Sequence, residues 1–179
     1  MSLPPFLLAL LASGCCTPGL AQYMAENRER IASAELYAAG DRAYRAGDHT
    51  TAANLFTRVI ELDADHINAL LQRGSCHVLL GHYAKAIEDL SAVIDRRPDH
   101  SRAYTSRGSA YLKLNEPQRA IADFTKVLEL DPKNEEAYNN RGWSHKALGD
   151  HAAACRDWNA SERMGNTEAK IILTNNRCK

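Results

Sequence analysis

Small and apolar residues return at fixed positions every 34 residues through the middle of this chain. The most regular stretch is Ser101–Asn134, and its positions are numbered here as slots 1 to 34. Slot 8 reads Gly40, Gly74, Gly108 and Gly142, and slot 20 reads Ala52, Ala86, Ala120 and Ala154. Within each unit the spacing is helical. Tyr104, Gly108 and Tyr111 fall on one face of a first helix, at about slots 1–14. Ala120, Phe124, Val127 and Leu128 form one stripe of a second helix, at about slots 17–30.

Turn residues separate the two helices. Gly47-Asp48, Gly81-His82 and Gly149-Asp150 occupy the same place in three units, where glycine takes the left-handed conformation at a helix end without steric cost. The remaining unit uses Asn115-Glu116-Pro117, with Pro117 near the start of the second helix, where a missing N–H is harmless. Pro98 and Pro132 end the second helix in two units. Slots 7 and 23 vary together: Arg73 with Asp89, Arg107 with Asp123, Arg141 with Asp157, but Ala39 with Leu55. That covariation predicts an ion pair between the two helices of each of the last three units.

The period and pattern resemble the tetratricopeptide repeat, a helix–turn–helix unit, over roughly Ser33–Glu168. The resemblance implies an all-α, right-handed α-solenoid of four units, 33–66, 67–100, 101–134 and 135–168. Residues 23–32 then extend the first helix, and 169–179 form a capping helix and tail, with the helix read from TEAKIILT at Thr167–Thr174. It further implies that slots 8 and 20 lie where the paired helices cross most closely. A mid-helix glycine costs about 1 kcal/mol against alanine, so close approach has to offset that cost.

In such proteins the first helices line a concave groove through slots 2, 5, 6, 9, 12 and 13. Those slots give Tyr37, Asp41 and Tyr44 in the first unit and Leu71, Gln72 and Ser75 in the second. The third unit gives Arg102, Thr105, Ser109, Leu112 and Lys113, and the fourth Asn139, Asn140, Trp143 and Lys146. Amides can hydrogen-bond an extended peptide, and aromatics make anchor contacts. Slot 9 is small in the second and third units, so packing does not demand Trp143. It either contacts a groove ligand or packs on a neighbouring helix. The clamp by which some of these proteins hold acidic chaperone tails is missing. Of its five positions from the first unit (Tyr37, Asp41, Gln72, Arg102, Ser106) only the Arg102 cation fits. The set from the second unit ends in Glu136 and Asn140 and also fails.

Composition narrows the function classes. Lys plus Arg and Asp plus Glu both number 22, which argues against a nucleic-acid footprint. No Cys-x-x-Cys, Gly-rich phosphate loop or nucleophile elbow is present. The histidines fall at scaffold slots: His49 and His151 at 17, His82 at 16, His66 and His100 at 34, His77 and His145 at 11. No metal site or cofactor is expected, and no enzymatic activity. The expected partner is a protein or peptide, with self-association into a homo-oligomer as the alternative.

Residues 1–22 differ from the rest. Phe6–Ala12 is an apolar run, too short for a bilayer span of about 20 residues. It suits the core of a secretory signal peptide. Gly19-Leu20-Ala21 suits cleavage before Gln22, whereas Leu11-Ala12-Ser13-Gly14-Cys15 resembles a bacterial lipobox, with Cys15 lipidated and the membrane reached through that anchor alone. A start that is kept on a cytosolic chain is the third reading. Export to a periplasm or cell envelope would favour a disulfide. The repeat resemblance turns slot 21, here Cys155, toward the capping helix, near whose end Cys178 lies. Their pairing would staple the cap to the fourth unit, leaving Cys76 unpaired.

Overall fold

A computed structural model describes residues 18–178, which are helical apart from short turns. Among the described residues nine helices follow one another: α1 (Pro18–Arg45), α2 (His49–Leu62), α3 (Ile67–Leu79), α4 (Tyr83–Arg96), α5 (Ser101–Lys113), α6 (Pro117–Leu130), α7 (Glu135–Ala147), α8 (His151–Arg163) and α9 (Ala169–Asn175). Each packs against its neighbours in sequence, and α3–α5 and α5–α7 also touch. The result is an α-solenoid of four helical hairpins, closed at its C-terminal end by α9. Residues 18–32 lengthen the first helix as a continuous part of α1, and the cap begins at Ala169, two residues later than its sequence suggests. Cys15 and the apolar run lie outside the described residues. The proposed cut before Gln22 falls within α1.

Side chains cap the starts of α2, α3, α5, α7 and α8. Asp48 and Asp150 accept from the N–H of Thr51 and Ala153. His66, His100 and Asn134, all at slot 34, accept from the N–H of Ala69, Ala103 and Ala137. An oxygen or an unprotonated ring nitrogen here fills one of the donors that a helix start leaves open. The two slot-34 histidines are therefore caps. At slot 15 Gly47, Gly81 and Gly149 have φ near +80°, and Asn115 takes φ +59°. Asparagine is the side chain that best tolerates this region.

The slot-8 glycines sit against the slot-24 ring or branched chain. A Cβ at Gly40 would lie 2.8 Å from Phe56, at Gly74 2.9 Å from Leu90, and at Gly108 3.0 Å from Phe124. Phe56, Leu90, Phe124 and Trp158 are all fully buried, as are the four slot-20 alanines. Close packing of helix backbone on a large side chain thus offsets the propensity cost of glycine.

The expected ion pairs are present and go further than two helices. Arg73, Arg107 and Arg141 each grip Asp89, Asp123 or Asp157 through Nε and Nη2, at 2.6–2.9 Å. Their Nη1 donates to Thr57, Ser91 or Thr125 on the preceding hairpin. One guanidinium therefore ties three consecutive helices. The carboxylates are buried, and their hydrogen bonds hold each arginine above its ordinary pKa. Planar, two-pronged pairing of this kind suits arginine and not lysine.

Candidate functional site

The residues read as a groove divide into a closed half and an open half. Tyr37 on α1 stacks on His66, with ring centroids 5.1 Å apart, and tilts against Phe56 at 5.5 Å. Tyr44 tilts against His49 at 5.4 Å, and both tyrosines pack against the core of the first hairpin. Asp41 pairs with Arg45 at 2.9 Å. On α3, Leu71, Gln72 and Ser75 are buried. Ser75 Oγ donates to the Leu71 carbonyl at 2.9 Å, and Arg102 Nη2 donates to Gln72 Oε1 at 3.3 Å. Burial pushes the Tyr37 hydroxyl up, Asp41 adds to that, and Arg102 opposes it. Asp41, Ser75 and Gln72 are thus engaged within the protein, by Arg45, the Leu71 carbonyl and Arg102 of the third unit. Leu71, Gln72 and Ser75 present little surface to a ligand, because Leu71 packs into the core with α4 and α5 and Gln72 is bonded to Arg102 on α5.

The open half lies between α5 and α7. A recess of 450 Å³ is lined by Ser109, Leu112, Lys113, Asn140 and Trp143. Trp143 is 37% exposed, and its ring meets Trp158 edge-on, with centroids 5.1 Å apart and planes at 66°. Trp158 is itself fixed, since it is fully buried and its Nε1 donates to the Asn139 carbonyl at 3.3 Å. Trp143 therefore packs on a neighbouring helix and lines the recess at once, and the two sequence alternatives are not exclusive. Lys146 Nζ lies 4.9 Å from the Trp143 centroid and donates to Asn176 Oδ1 beyond the cap, at 2.6 Å. Both contacts favour one placement of the indole. Thr105 and Asn139 belong less to this recess. Thr105 Oγ1 donates to the Ser101 carbonyl at 3.3 Å, and Asn139 Oδ1 is enclosed without a hydrogen-bond partner. A second recess, of 360 Å³, follows the N-terminal part of α1 and is lined by Glu26, Glu29, Arg30, Leu62 and His66 among others.

Cys155 and Cys178 are joined by a disulfide, with Cα atoms 5.4 Å apart. Cys76 is free and buried, and burial raises its thiol to about 11. His151, which the sequence places only by its scaffold slot, lies beside the Cys155–Cys178 disulfide. Its Nε2 lies 3.6 Å from Cys155 Sγ, one helical turn away on α8, and Cys178 completes a cluster within 4.8 Å. The sequence paired Cys155 with Cys178 but read His151 only by its slot, although it precedes Cys155 by one helical turn.

Helical hairpins stacked with a small-residue crossing define a helical-repeat solenoid, a fold consistent with a protein-interaction scaffold. Models of the tetratricopeptide repeat match residues 37–101, 101–134 and 124–156. The chain belongs to the tetratricopeptide repeat family. Among solved structures it is similar to residues 41 to the end of MamA from Desulfovibrio magneticus RS-1, at 24% identity and a TM-score of 0.73, over 76% of this chain and 77% of that one. The first repeat domain of Spaghetti (RPAP3), bound to the HSP90 peptide SRMEEVD, is 26% identical with a TM-score of 0.64, over 66% of this chain and 94% of its own. The Arabidopsis OM64 repeat domain is 25% identical with a TM-score of 0.63, over 66% and 98%. No curated protein sequence matches the chain.

Proposed function

We propose that this protein is a non-enzymatic adaptor that holds an extended peptide segment of a partner protein on its concave face, centred on the recess at Trp143. The observation that carries this reading is an indole 37% exposed yet braced by buried Trp158. A pre-positioned aromatic loses little conformational freedom on binding and makes a strong anchor contact. Leu112 supplies an apolar floor, Asn140 can pair with a peptide backbone, and Lys113 adds a cation. A repeat domain of this family with a bound peptide is a precedent for the mode. The ligand differs in kind, because of the acidic-tail clamp only the Arg102 cation is present here.

The place of action we propose is an envelope or periplasm, reached through the leader, with or without lipid attachment at Cys15. The disulfide supports that reading, since disulfides persist in oxidising compartments. A displayed peptide library selected on the oxidised protein tests the adaptor function. Enriched peptides should share an apolar anchor and bind at least about tenfold more weakly to Trp143→Ala. Enrichment unaffected by Trp143→Ala and Asn140→Ala would move the ligand off this face.

Self-association is the second reading, and exposed Tyr23 and Ile31 on the N-terminal part of α1 favour it. Light scattering distinguishes the two, since a monomer at micromolar concentration excludes it.

A further inference from the structure

His151, Cys155 and Cys178 form an arrangement that the solenoid itself does not need. Slot 21 is Ala53, Ile87 and Ile121 in the other units, so a small or aliphatic residue suffices there. Only in the last unit does slot 17 carry histidine while slot 21 carries cysteine. One helical turn separates His151 from Cys155, which puts both on one side of α8. Nε2 and Sγ are 3.6 Å apart. A tetrahedral zinc ion with bonds of about 2.3 Å to sulfur and 2.0 Å to nitrogen has an S···N edge of about 3.5 Å. All three donor atoms lie within 4.8 Å of one another.

We propose that this cluster is a redox-gated site for a thiophilic divalent ion, Zn(II), held by His151, Cys155 and Cys178 with one position left to solvent. In the oxidised chain the sulfurs are bonded to each other and the site is shut. A dithiol reductant opens it: the S–S bond takes up two electrons and two protons, giving two thiols, and the reductant becomes a disulfide. Zn(II) then displaces the two thiol protons and binds two thiolates and a neutral imidazole, so the occupied site carries no net charge. The sulfurs must part to about 3.8 Å to span such an ion, and the Cα separation of 5.4 Å leaves room for that by side-chain rotation.

Two features make the gate workable. First, the cluster is accessible: His151 is exposed and both cysteines are partly so. Second, the cap keeps other attachments when the bond opens. Ala169 and Leu173 are buried, with Leu173 packed beside Ala154 and Trp158, and Lys146 reaches Asn176. The Cys178 N–H also donates to the Leu173 carbonyl at 3.0 Å. Reduction therefore leaves Cys178 near its partners. Cys76 does not compete, being buried with a thiol raised to about 11.

The test uses the full chain with Cys15→Ser and Cys16→Ser, reduced with dithiothreitol and desalted without oxygen. Zn(II) is titrated against a chromophoric chelator, and Co(II) is added in parallel as a spectroscopic stand-in. The reduced chain should bind one equivalent and give a thiolate-to-cobalt charge-transfer band with tetrahedral d–d bands, while the oxidised chain gives neither. His151→Ala should weaken Zn(II) binding at least about tenfold and leave the melting temperature of the oxidised chain unchanged. Cys178→Ser should weaken it further. Equal binding by oxidised and reduced chains, or no effect of His151→Ala, overturns the proposal. So does an X-ray absorption spectrum of the Zn(II) form without two sulfur neighbours, which reads the site even where a variant folds poorly.

Discussion

Gly142 lies directly against the indole of Trp158: a Cβ there would stand 2.5 Å from Nε1. The same indole nitrogen donates to the Asn139 carbonyl, so the ring cannot swing away without losing its hydrogen bond. Gly142→Ala should therefore destabilise by about 1–3 kcal/mol. Gly108→Ala should cost less, because its nearest neighbour is a phenyl edge at 3.0 Å with no such bond, and Gly108→Val should fall in the same range of about 1–3 kcal/mol. Thermal melts of the three variants check the order.

Arg107→Ala should cost about 3–5 kcal/mol, since it strands buried Asp123. The double variant Arg107→Ala/Asp123→Ala should recover part of that loss. Urea unfolding of the four-member cycle measures the coupling, and additive losses would reduce the pair to two independent charges.

Trp143→Ala removes an edge-on aromatic contact worth about 0.5–1.5 kcal/mol and opens the recess without breaking the solenoid. Its melting point should drop by a few degrees at about 2–4 °C per kcal/mol for a chain of this size. Circular dichroism should show undiminished helix.

The disulfide closes a sequence separation of 23 residues, for which the chain-entropy model gives about 3 kcal/mol. Cys178→Ser in the oxidised protein should lower stability by that order. Loss of the difference when both proteins are reduced is the control.

His77 is held below the ordinary histidine pKa, chiefly by burial, against the pull of Asp89. Its Nδ1 is enclosed without a hydrogen-bond partner. The unfolded chain therefore binds the proton more readily than the folded one. His77 costs no stability above about pH 6.5, and stability is lost as pH falls below that value. Urea unfolding at neutral pH and near pH 5 should show a smaller drop for His77→Gln than for the parent.

The repeat was legible before any coordinates because its signals are local or strictly periodic. Glycine at slot 8, alanine at slot 20 and the turn residues at slots 15 and 16 each answer a constraint within one hairpin. The Arg–Asp pairs could be read for the same reason: the two slots vary together inside a single chain. The third contact of each guanidinium, to Thr57, Ser91 or Thr125, could not, since a hydroxyl on a preceding helix carries no distinctive pattern.

The groove shows the limit more sharply. Slot numbers placed Gln72 and Trp143 on the same face, but accessibility depends on what neighbouring helices do. Gln72 is covered and bonded to Arg102, whereas Trp143 is lifted toward solvent by Trp158 beneath it. His151 makes the same point from the other direction. The sequence by itself determined the helical hairpins, their number and the pairing across each, because those follow from periodicity, capping and small-residue contacts. Only the tertiary structure decided which of the groove-slot residues stay exposed, and that His151 lies against the Cys155–Cys178 pair. Both depend on packing between segments far apart in the chain, where no local spacing records the contact.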